Sequence, residues 1–292
     1  MDKEAMKVLI LESLTQKLGS DYYSIIEKVL KTNQKLDCLY IHHNGDNISP
    51  AIYLDSFYKK LEDGAKLDDV TDSILQSYFQ FQDQKCSLPF DTEAFFDFEN
   101  IKNNLYVVLI NKHLNTELLQ SIPHSLFLDD FAVTVRVLIE ESDHATSSFM
   151  IHNRHIDAWN IDHDTLLRLA LQNTRKLFGL DLMSLNEVLN NMGLLPPMDD
   201  ISLPIWVMTN NRKMYGAATV LFDDVLKSFA NTHGSFYLVF SSVHEILLIP
   251  ETEGMNIDLI TAMNRKVNAS EIREEEILGT KAYYYDKEKG FC

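Results

Sequence analysis

Two stretches near the end of the chain decide the fold: LPIWVMTNNRKMYGAATVLF at residues 203–222 and FYLVFSSVHEILLI at residues 236–249. In each, two short apolar segments flank a polar turn, and a segment with helical spacing follows. Gaps this short cannot hold a crossover connection, so we expect the strands to pair in antiparallel fashion. The sequence therefore predicts two β-β-α units and a closing strand. The predicted strands are 204–209, 216–222, 236–240, 245–249 and 281–285.

Helices and strands also alternate in the first part of the chain. A helix is predicted at 3–18, and the segment 23–29 fits a strand or a second helix, with the strand preferred. An Asn44-Gly45 turn joins strands predicted at 36–42 and 48–53. The other predicted elements are helices at 54–62, from 66 and at 163–177, and strands at 106–110, 131–140 and 147–153.

The segment 194–200 contains two prolines and two aspartates and interrupts this pattern, so it marks the best internal boundary. We expect an N-terminal α+β region at 1–195 and a C-terminal α+β module at 201–292. The fold class predicted for the whole chain is α+β, with antiparallel sheets and packed helices.

The composition is that of a globular protein. Of 292 residues, 46% are hydrophobic, and there are only 10 Gly and 7 Pro. Three scattered cysteines do not make a disulfide framework or a thiolate metal site. The charged N-terminus differs from a signal peptide, and no apolar run reaches the length of a membrane span. We therefore expect a cytoplasmic protein without a metal, a cofactor or a membrane partner.

The formal charge is −17, and its distribution is uneven. Residues 36–100 carry 13 acidic residues and 4 lysines, a net charge of −9. Such a surface repels phosphate backbones, which argues against direct nucleic-acid binding. It is explained by a solvated face that keeps the protein soluble, or by a surface that docks on a basic protein. The candidate docking residues are Asp63, Asp68, Asp69 and Asp72.

The second polar turn holds the most suggestive set of catalytic side chains. Ser242 and His244 could form a nucleophile–base pair with Glu245 as the orienting acid. On an extended strand, however, Glu245 points away from the other two, and a serine-rich turn beside a structural histidine explains the same residues. The motifs of nucleotide-binding loops, zinc proteases and serine-hydrolase elbows are absent from the sequence.

Two other polar clusters admit both a functional and a structural interpretation. The turn that contains Asn210 and Arg212 could cradle an anion, although a plain hairpin loop accounts for it equally. His152, His155 and His163 lie near several aspartates and could hold a divalent metal only if a loop brought them together. The alternative is a polar strand end followed by a helix cap, and we expect no metal site.

Several short clusters occur in an order that resembles one group of bacterial proteins. The clusters are Ile52-Tyr53-Leu54, Pro123-His124, Ala170 with Asn173-Thr174, Val207-Met208-Thr209-Asn210, Gly216-Ala217, Ser241-Ser242-Val243-His244-Glu245 and Tyr283-Tyr284-Tyr285-Asp286. They resemble an uncharacterised domain-of-unknown-function family, family 5688, of gut Firmicutes and their mobile elements. The resemblance spans about Lys31 to Asp286. It implies a cytoplasmic α+β protein with no established activity, cofactor or catalytic residue.

Three functional hypotheses follow. The first is an acidic cytoplasmic protein, not catalytic, that binds or regulates a basic partner through its acidic segment. The second is a hydrolase or small-ligand-binding protein that uses His244, Glu245 and the Asn210–Arg212 loop. The third is an inhibitor that mimics nucleic acid and so binds a basic nucleic-acid-binding protein. The sequence leaves the oligomeric state open.

Overall fold

The structure, a computed structural model, describes residues 2–45, 49–84, 95–141, 146–193 and 204–292. The chain divides into two compact units, Met1–Pro89 and Phe90–Cys292, which we call unit 1 and unit 2. Within the described ranges, no helix has both the length and the apolar character needed to cross a membrane.

In its described residues, unit 1 consists of a three-stranded antiparallel sheet and three helices. Its elements are α1 (Lys3–Leu18), β1 (Tyr22–Lys31), β2 (Gln34–His43), β3 (Ile52–Tyr53), α2 (Asp55–Glu62) and α3 (Leu67–Gln84). The strand order is β1-β2-β3, and a tight turn with Asn33 at a φ of 59° joins the first two strands. Asparagine tolerates this left-handed conformation better than most residues. The strand predicted at 23–29 is confirmed.

The helices of unit 1 cover one face of its sheet. Met6 and Ile10 of α1 and Ile74 of α3 are completely buried, and they join Leu39 and Ile41 of β2 in one apolar core. These helical residues recur at the spacing of one face of a helix, which is why the sequence pattern located α1.

Unit 2 contains two further antiparallel sheets. Its strands are β4 (Leu105–Asn111), β5 (His124–Phe127), β6 (Phe131–Glu141), β7 (Thr146–Met150), β8 (Asp181–Ser184), β9 (Trp206–Thr209), β10 (Phe236–Val239), β11 (Ile246–Pro250), β12 (Ala282–Asp286) and β13 (Gly290–Phe291). Its α-helices are Phe98–Ile101, Asn153–Trp159, His163–Phe178, Leu185–Asn191, Asp223–His233 and Ile257–Glu271. The predicted α+β class with antiparallel sheets is confirmed.

The central strand of the smaller sheet is β6, and it pairs with β4, β5 and β7. The larger sheet has the order β13-β12-β10-β11-β9-β8. Side chains of both sheets enter a shared core, where the rings of Phe131 on β6 and Phe240 after β10 lie 4.6 Å apart.

The helix His163–Phe178 covers the edge of β4. The backbone N–H of Val107 donates to Thr174 Oγ1 over 2.9 Å, and the Asn173 amide donates to Lys102 O over 2.7 Å. An exposed strand edge is a site for unwanted pairing, and a covering helix prevents it. The Ala170, Asn173 and Thr174 cluster thus has a structural role here.

The boundary predicted at 194–200 lies outside the described residues. On either side of it, β8 pairs with β9 in the larger sheet, with Asp181 opposite Thr209 and Ser184 opposite Trp206. One sheet therefore takes strands from both predicted regions.

The strand predicted at 216–222 is wrong. Gly216–Leu221 forms a 3₁₀ helix, with the Thr219 hydroxyl bonded to Gly216 O over 2.7 Å. Gly216 to Val220 are all buried, and a short apolar run that is buried on every side has no periodicity to separate a strand from a helical turn. The prediction also missed β8 and the Asn153–Trp159 helix, which begins at the last residue of the strand predicted at 147–153.

Candidate functional site

The loop from Asn210 to Gly216 is held in shape by the Asn210 side chain. Its Nδ2 donates to Met214 O over 2.9 Å, and its Oδ1 accepts from Arg212 N over 3.0 Å. Asn210 is only 2% exposed. All of these hydrogen bonds lie within the loop, so the Asn210 amide is committed to the conformation of the backbone.

This loop is fastened to the turn between β10 and β11. The Thr209 hydroxyl donates to His244 O over 2.7 Å, and the Tyr215 N–H donates to His244 Nδ1 over 3.3 Å. A Cβ on Gly216 would collide with both Thr209 Oγ1 and His244 O, so only glycine allows this approach. Tyr215 is thereby placed next to His244, with their rings 5.9 Å apart.

Tyr215 adopts a strained backbone conformation. Its φ is 53°, and that of Lys213 is 54°, both in the left-handed region that residues other than glycine rarely occupy. Such strain costs on the order of 1 kcal/mol or more for each residue and persists only where surrounding contacts impose it. Here the contacts of Asn210 and His244 impose it.

His244 is oriented by a carboxylate from a distant part of the chain. Because Nδ1 accepts the Tyr215 N–H, the neutral ring carries its proton on Nε2, which lies 3.2 Å from Glu276 Oε1. The Glu276 carboxylate also accepts a hydrogen bond from the Arg273 guanidinium, and this bond holds the pKa of Glu276 below its usual value. The side chains of His244 and Glu276 are 26% and 19% exposed.

The environment of Glu245 shifts its pKa in the direction opposite to that of Glu276. Burial raises the pKa of the Glu245 carboxyl, although His244 and a hydrogen bond to Ser242 counteract the effect in part. Two carboxyl groups near one imidazole thus have pKa values that are shifted in opposite directions. This arrangement is typical of acid–base chemistry, although structural ion pairs also produce it.

Arg136, on β6 of the smaller sheet, lies next to Tyr215. We call the group of Arg136, Tyr215, His244 and Glu276 the Arg136 cluster. The Arg136 guanidinium lies 5.1 Å from the centre of the Tyr215 ring and donates to Ser148 Oγ and Ser148 O over 3.2 and 2.8 Å. Tyr106 also donates to Ser148 Oγ, over 3.0 Å, and burial raises the pKa of the Tyr106 phenol. Among the described residues, no carboxylate pairs with the half-buried Arg136.

The sequence of the chain matches the model of a family of unknown function, DUF5688, over residues 4–287. The chain belongs to this family. Neither a curated protein nor a solved structure matches it. The resemblance predicted from the short clusters is confirmed.

Three of the clusters that carry the family resemblance build this site. Thr209-Asn210 shapes the loop that carries Tyr215, and the turn at 241–245 supplies His244 and Glu245. The third cluster, Gly216-Ala217, provides the close approach that joins them.

Ser242, His244 and Glu245 are close together but are not bonded as a nucleophilic triad. Ser242 Oγ accepts from the backbone N–H of His244 over 3.0 Å, while the two ring nitrogens of His244 face Tyr215 N and Glu276. The orienting carboxylate therefore comes from Glu276, which the sequence interpretation did not identify. The Arg212 side chain is exposed, and its backbone N–H donates to Asn210 Oδ1.

Sequence reasoning also missed Arg136, although a signal was present. Arg136 is a lone charge in the apolar stretch FAVTVRVLI at residues 131–139, and a buried strand seldom contains an unpaired arginine. Glu276 gave no comparable signal, because it is one of three consecutive glutamates in the short 3₁₀ helix Glu274–Glu276.

The acidic candidates of unit 1 fall into two groups. Lys17 pairs with Asp72 over 2.7 Å and with Asp68 over 3.3 Å, so α1 partly neutralises these carboxylates. Asp63 and Asp69 are exposed to solvent. The predicted docking surface therefore keeps only part of the charge that suggested it.

The histidines proposed as metal ligands serve separate structural roles. His152 caps the Asn153–Trp159 helix, and its backbone N–H donates to His155 Nδ1 over 3.1 Å. His163 Nε2 accepts from His124 N over 2.8 Å. No group of three or more potential metal ligands occurs in the parts of the chain that the structure describes.

Proposed function

We propose that this chain is a small-anion-binding protein in which Arg136 holds the negative group of the ligand beside Tyr215. The observation that carries this proposal is the half-buried Arg136 guanidinium, which donates to Ser148, lies within hydrogen-bonding reach of the Tyr106 phenol and has no carboxylate partner among the described residues. Charged groups that are removed from water are nearly always paired. Arginine also matches carboxylate and phosphate groups through two parallel N–H donors.

Tyr215 supports the same interpretation. Its phenol hydroxyl has no hydrogen-bond partner among the described residues, and its ring lies over the Arg136 guanidinium. The strained loop around Tyr215 is the kind of feature that accompanies a preorganised binding site. In this proposal, Arg136 supplies the charge, Tyr215 supplies a further donor, and His244 with Glu276 keeps Tyr215 in place.

Calorimetric titration with inorganic phosphate and with acetate tests the proposal. We expect the Arg136→Gln variant to bind the preferred anion at least about tenfold more weakly than the wild type, because a charge-assisted hydrogen bond is lost. Arg175→Gln is the control, because Arg175 pairs with Asp224 on the surface of the same unit. Equal affinities in wild type and Arg136→Gln, or no binding of either anion by the wild type, would contradict the proposal.

Hydrolysis is a second candidate, which the opposite pKa shifts of Glu245 and Glu276 favour. In such a reaction, water would attack the phosphorus or the carbonyl carbon, and Glu245, whose pKa is raised by burial, would donate its proton to the leaving oxygen as that bond breaks, while His244 stays fixed by Glu276. We expect turnover of phenyl phosphate or phenyl acetate, whose basic leaving groups need a proton, that falls on the order of a hundredfold in Glu245→Gln. Absence of turnover in the wild type, or an unchanged rate in the variant, would exclude this second role.

The docking of a basic protein on the acidic segment remains a prediction, as do nucleic-acid mimicry, a link to mobile elements and a cytoplasmic location. The pairing of Asp68 and Asp72 with Lys17 weakens the electrostatic basis of the first two. For this reason the anion site of unit 2 ranks above the acidic surface.

A further inference from the structure

A hollow of unit 2 lies at the end of β10 that is opposite to His244. It has a volume of about 500 Å³ and is bordered by the beginning of the Asp223–His233 helix and by the β12–β13 hairpin. Tyr285 lines it from the strand side, paired with Phe236 at the first residue of β10. His244, by contrast, follows the last residue of β10, so this hollow is separate from the Arg136 cluster.

The ring of Tyr285 is buried, whereas its hydroxyl opens onto the hollow. Tyr285 is 3% exposed, and its ring packs against Phe236 and Phe291 at centroid distances of 4.9 and 5.2 Å. Its hydroxyl has no hydrogen bond to any described residue. The hydroxyl that Tyr285 presents at the wall of this hollow is therefore available to a ligand.

Three lysines surround the same hollow. Lys227, Lys287 and Lys289 all line it, in a chain with a formal charge of −17. Lys227 pairs with Asp223 over 2.5 Å, but both side chains are about two-thirds exposed, at 65% and 68%, so the pair is weak and open to exchange. Lys287 and Lys289 form no ion pair with a described carboxylate.

The hairpin turn holds the last two lysines in position. Asp286 Oδ1 accepts the backbone N–H groups of Glu288 and Lys289, each over 2.9 Å, and Lys287 N donates to Ser235 Oγ over 3.1 Å. The backbone that carries the ammonium groups is therefore fixed, and only their flexible side chains need to adjust to a ligand.

We infer that this hollow binds a small molecule through a phosphate or carboxylate group, with Tyr285 donating its hydroxyl and Lys227, Lys287 and Lys289 providing positive charge. The volume is in the range of known small-molecule sites, and the Phe291 ring offers an apolar wall beside the charged groups. Glu288 and Asp223 also line the hollow, so a compact anion fits better than a polyanionic chain.

Calorimetric titration with inorganic phosphate and with acetate, performed in the Arg136→Gln background, tests this site alone. We expect Tyr285→Phe to weaken binding of the preferred anion about tenfold, because only the hydroxyl is removed and the buried ring is kept. Tyr284→Phe is the matched control, since the Tyr284 hydroxyl donates to Glu251 outside the hollow.

A second variant tests the same site without changing a buried residue. Lys287→Gln with Lys289→Gln changes only exposed side chains, and we expect it to weaken binding as well and to reduce the dependence of affinity on salt. The inference is overturned if the Arg136→Gln protein binds neither anion, or if both the Tyr285→Phe and the double lysine variants bind as tightly as their parent.

Discussion

His244 Nε2 and Glu276 Oε1 lie 3.2 Å apart, although the two residues are separated by 32 positions in the sequence. This contact fixes the His244 ring, whose Nδ1 accepts the backbone N–H of Tyr215. It therefore determines where Tyr215 lies above Arg136. The site is thus assembled from both sheets of unit 2.

Replacing Glu276 by Gln tests the electrostatic part of the contacts that this carboxylate makes with Arg273 and His244. The pKa of Glu276 is lowered in the folded protein, so its stabilising effect is present above pH 4.5 and is lost as the pH falls through the folded pKa. We expect Glu276→Gln to lower the free energy of unfolding by about 1 kcal/mol at pH 7, and the difference from wild type to shrink below pH 4.5. Urea unfolding at several pH values measures it, with the exposed Glu253→Gln as control. A difference that does not depend on pH would contradict this prediction.

His155 predicts a separate loss of stability in acid. Burial beside Phe95 and Trp159 lowers the pKa of His155 to about 4, from 6.5 in an unfolded chain. Because the unfolded state binds the proton more readily, the stability is complete above pH 6.5 and falls as the pH is lowered towards 4. We expect the loss to be on the order of 2 kcal/mol and to be absent in His155→Gln. An NMR titration of the imidazole that gives a pKa near 6.5 would show this prediction to be wrong.

Replacing Thr174 tests whether the helix His163–Phe178 satisfies the backbone at the edge of β4. In Thr174→Val the shape is preserved, but the buried Val107 N–H loses its acceptor. We expect the free energy of unfolding to fall by about 1–3 kcal/mol, as for other unsatisfied buried donors. Thr165→Val, which removes a partly exposed hydroxyl that accepts from Arg168 in the first turn of the same helix, serves as control. Equal unfolding midpoints for the two variants would contradict the role assigned to Thr174.

Replacing Gly216 tests the close approach of the Asn210–Gly216 loop to the turn that contains His244. In Gly216→Ala the new Cβ would overlap Thr209 Oγ1 and His244 O, so we expect a loss of about 3 kcal/mol or more together with weaker anion binding. Gly254→Ala separates this clash from ordinary backbone strain, because Gly254 has a φ of 86° but open space around it. Its expected cost is about 1 kcal/mol. If both variants lose the same stability, the close approach has no special importance.

The sequence was sufficient to predict the fold class, because the apolar periodicity located strands such as β10 and helices such as His163–Phe178. It could not predict the 3₁₀ helix at Gly216–Leu221, whose conformation is set by the contacts of Gly216 with a distant turn. It also missed the four-residue strand β8, which carries too few residues for a period to emerge.

The candidate site was predictable in part. The two polar turns were identified as sites of interest, and they do meet, at Thr209 and His244. Their chemistry was not predictable, because Glu276 and Arg136 join them only through tertiary packing. Hydrogen-bond partners such as Tyr215 N for His244 Nδ1 depend on backbone geometry that no local pattern specifies.

The NMR signal of the Arg136 Nε–Hε group, followed during titration with inorganic phosphate and with acetate, shows directly whether Arg136 binds the anion. We expect this resonance, assigned through Arg136→Gln, to shift and to saturate at the anion concentration at which calorimetry detects binding. If the anion binds while the Arg136 resonance stays in place and other arginine signals move, Arg136 is not the anion-binding group and the proposed function is wrong.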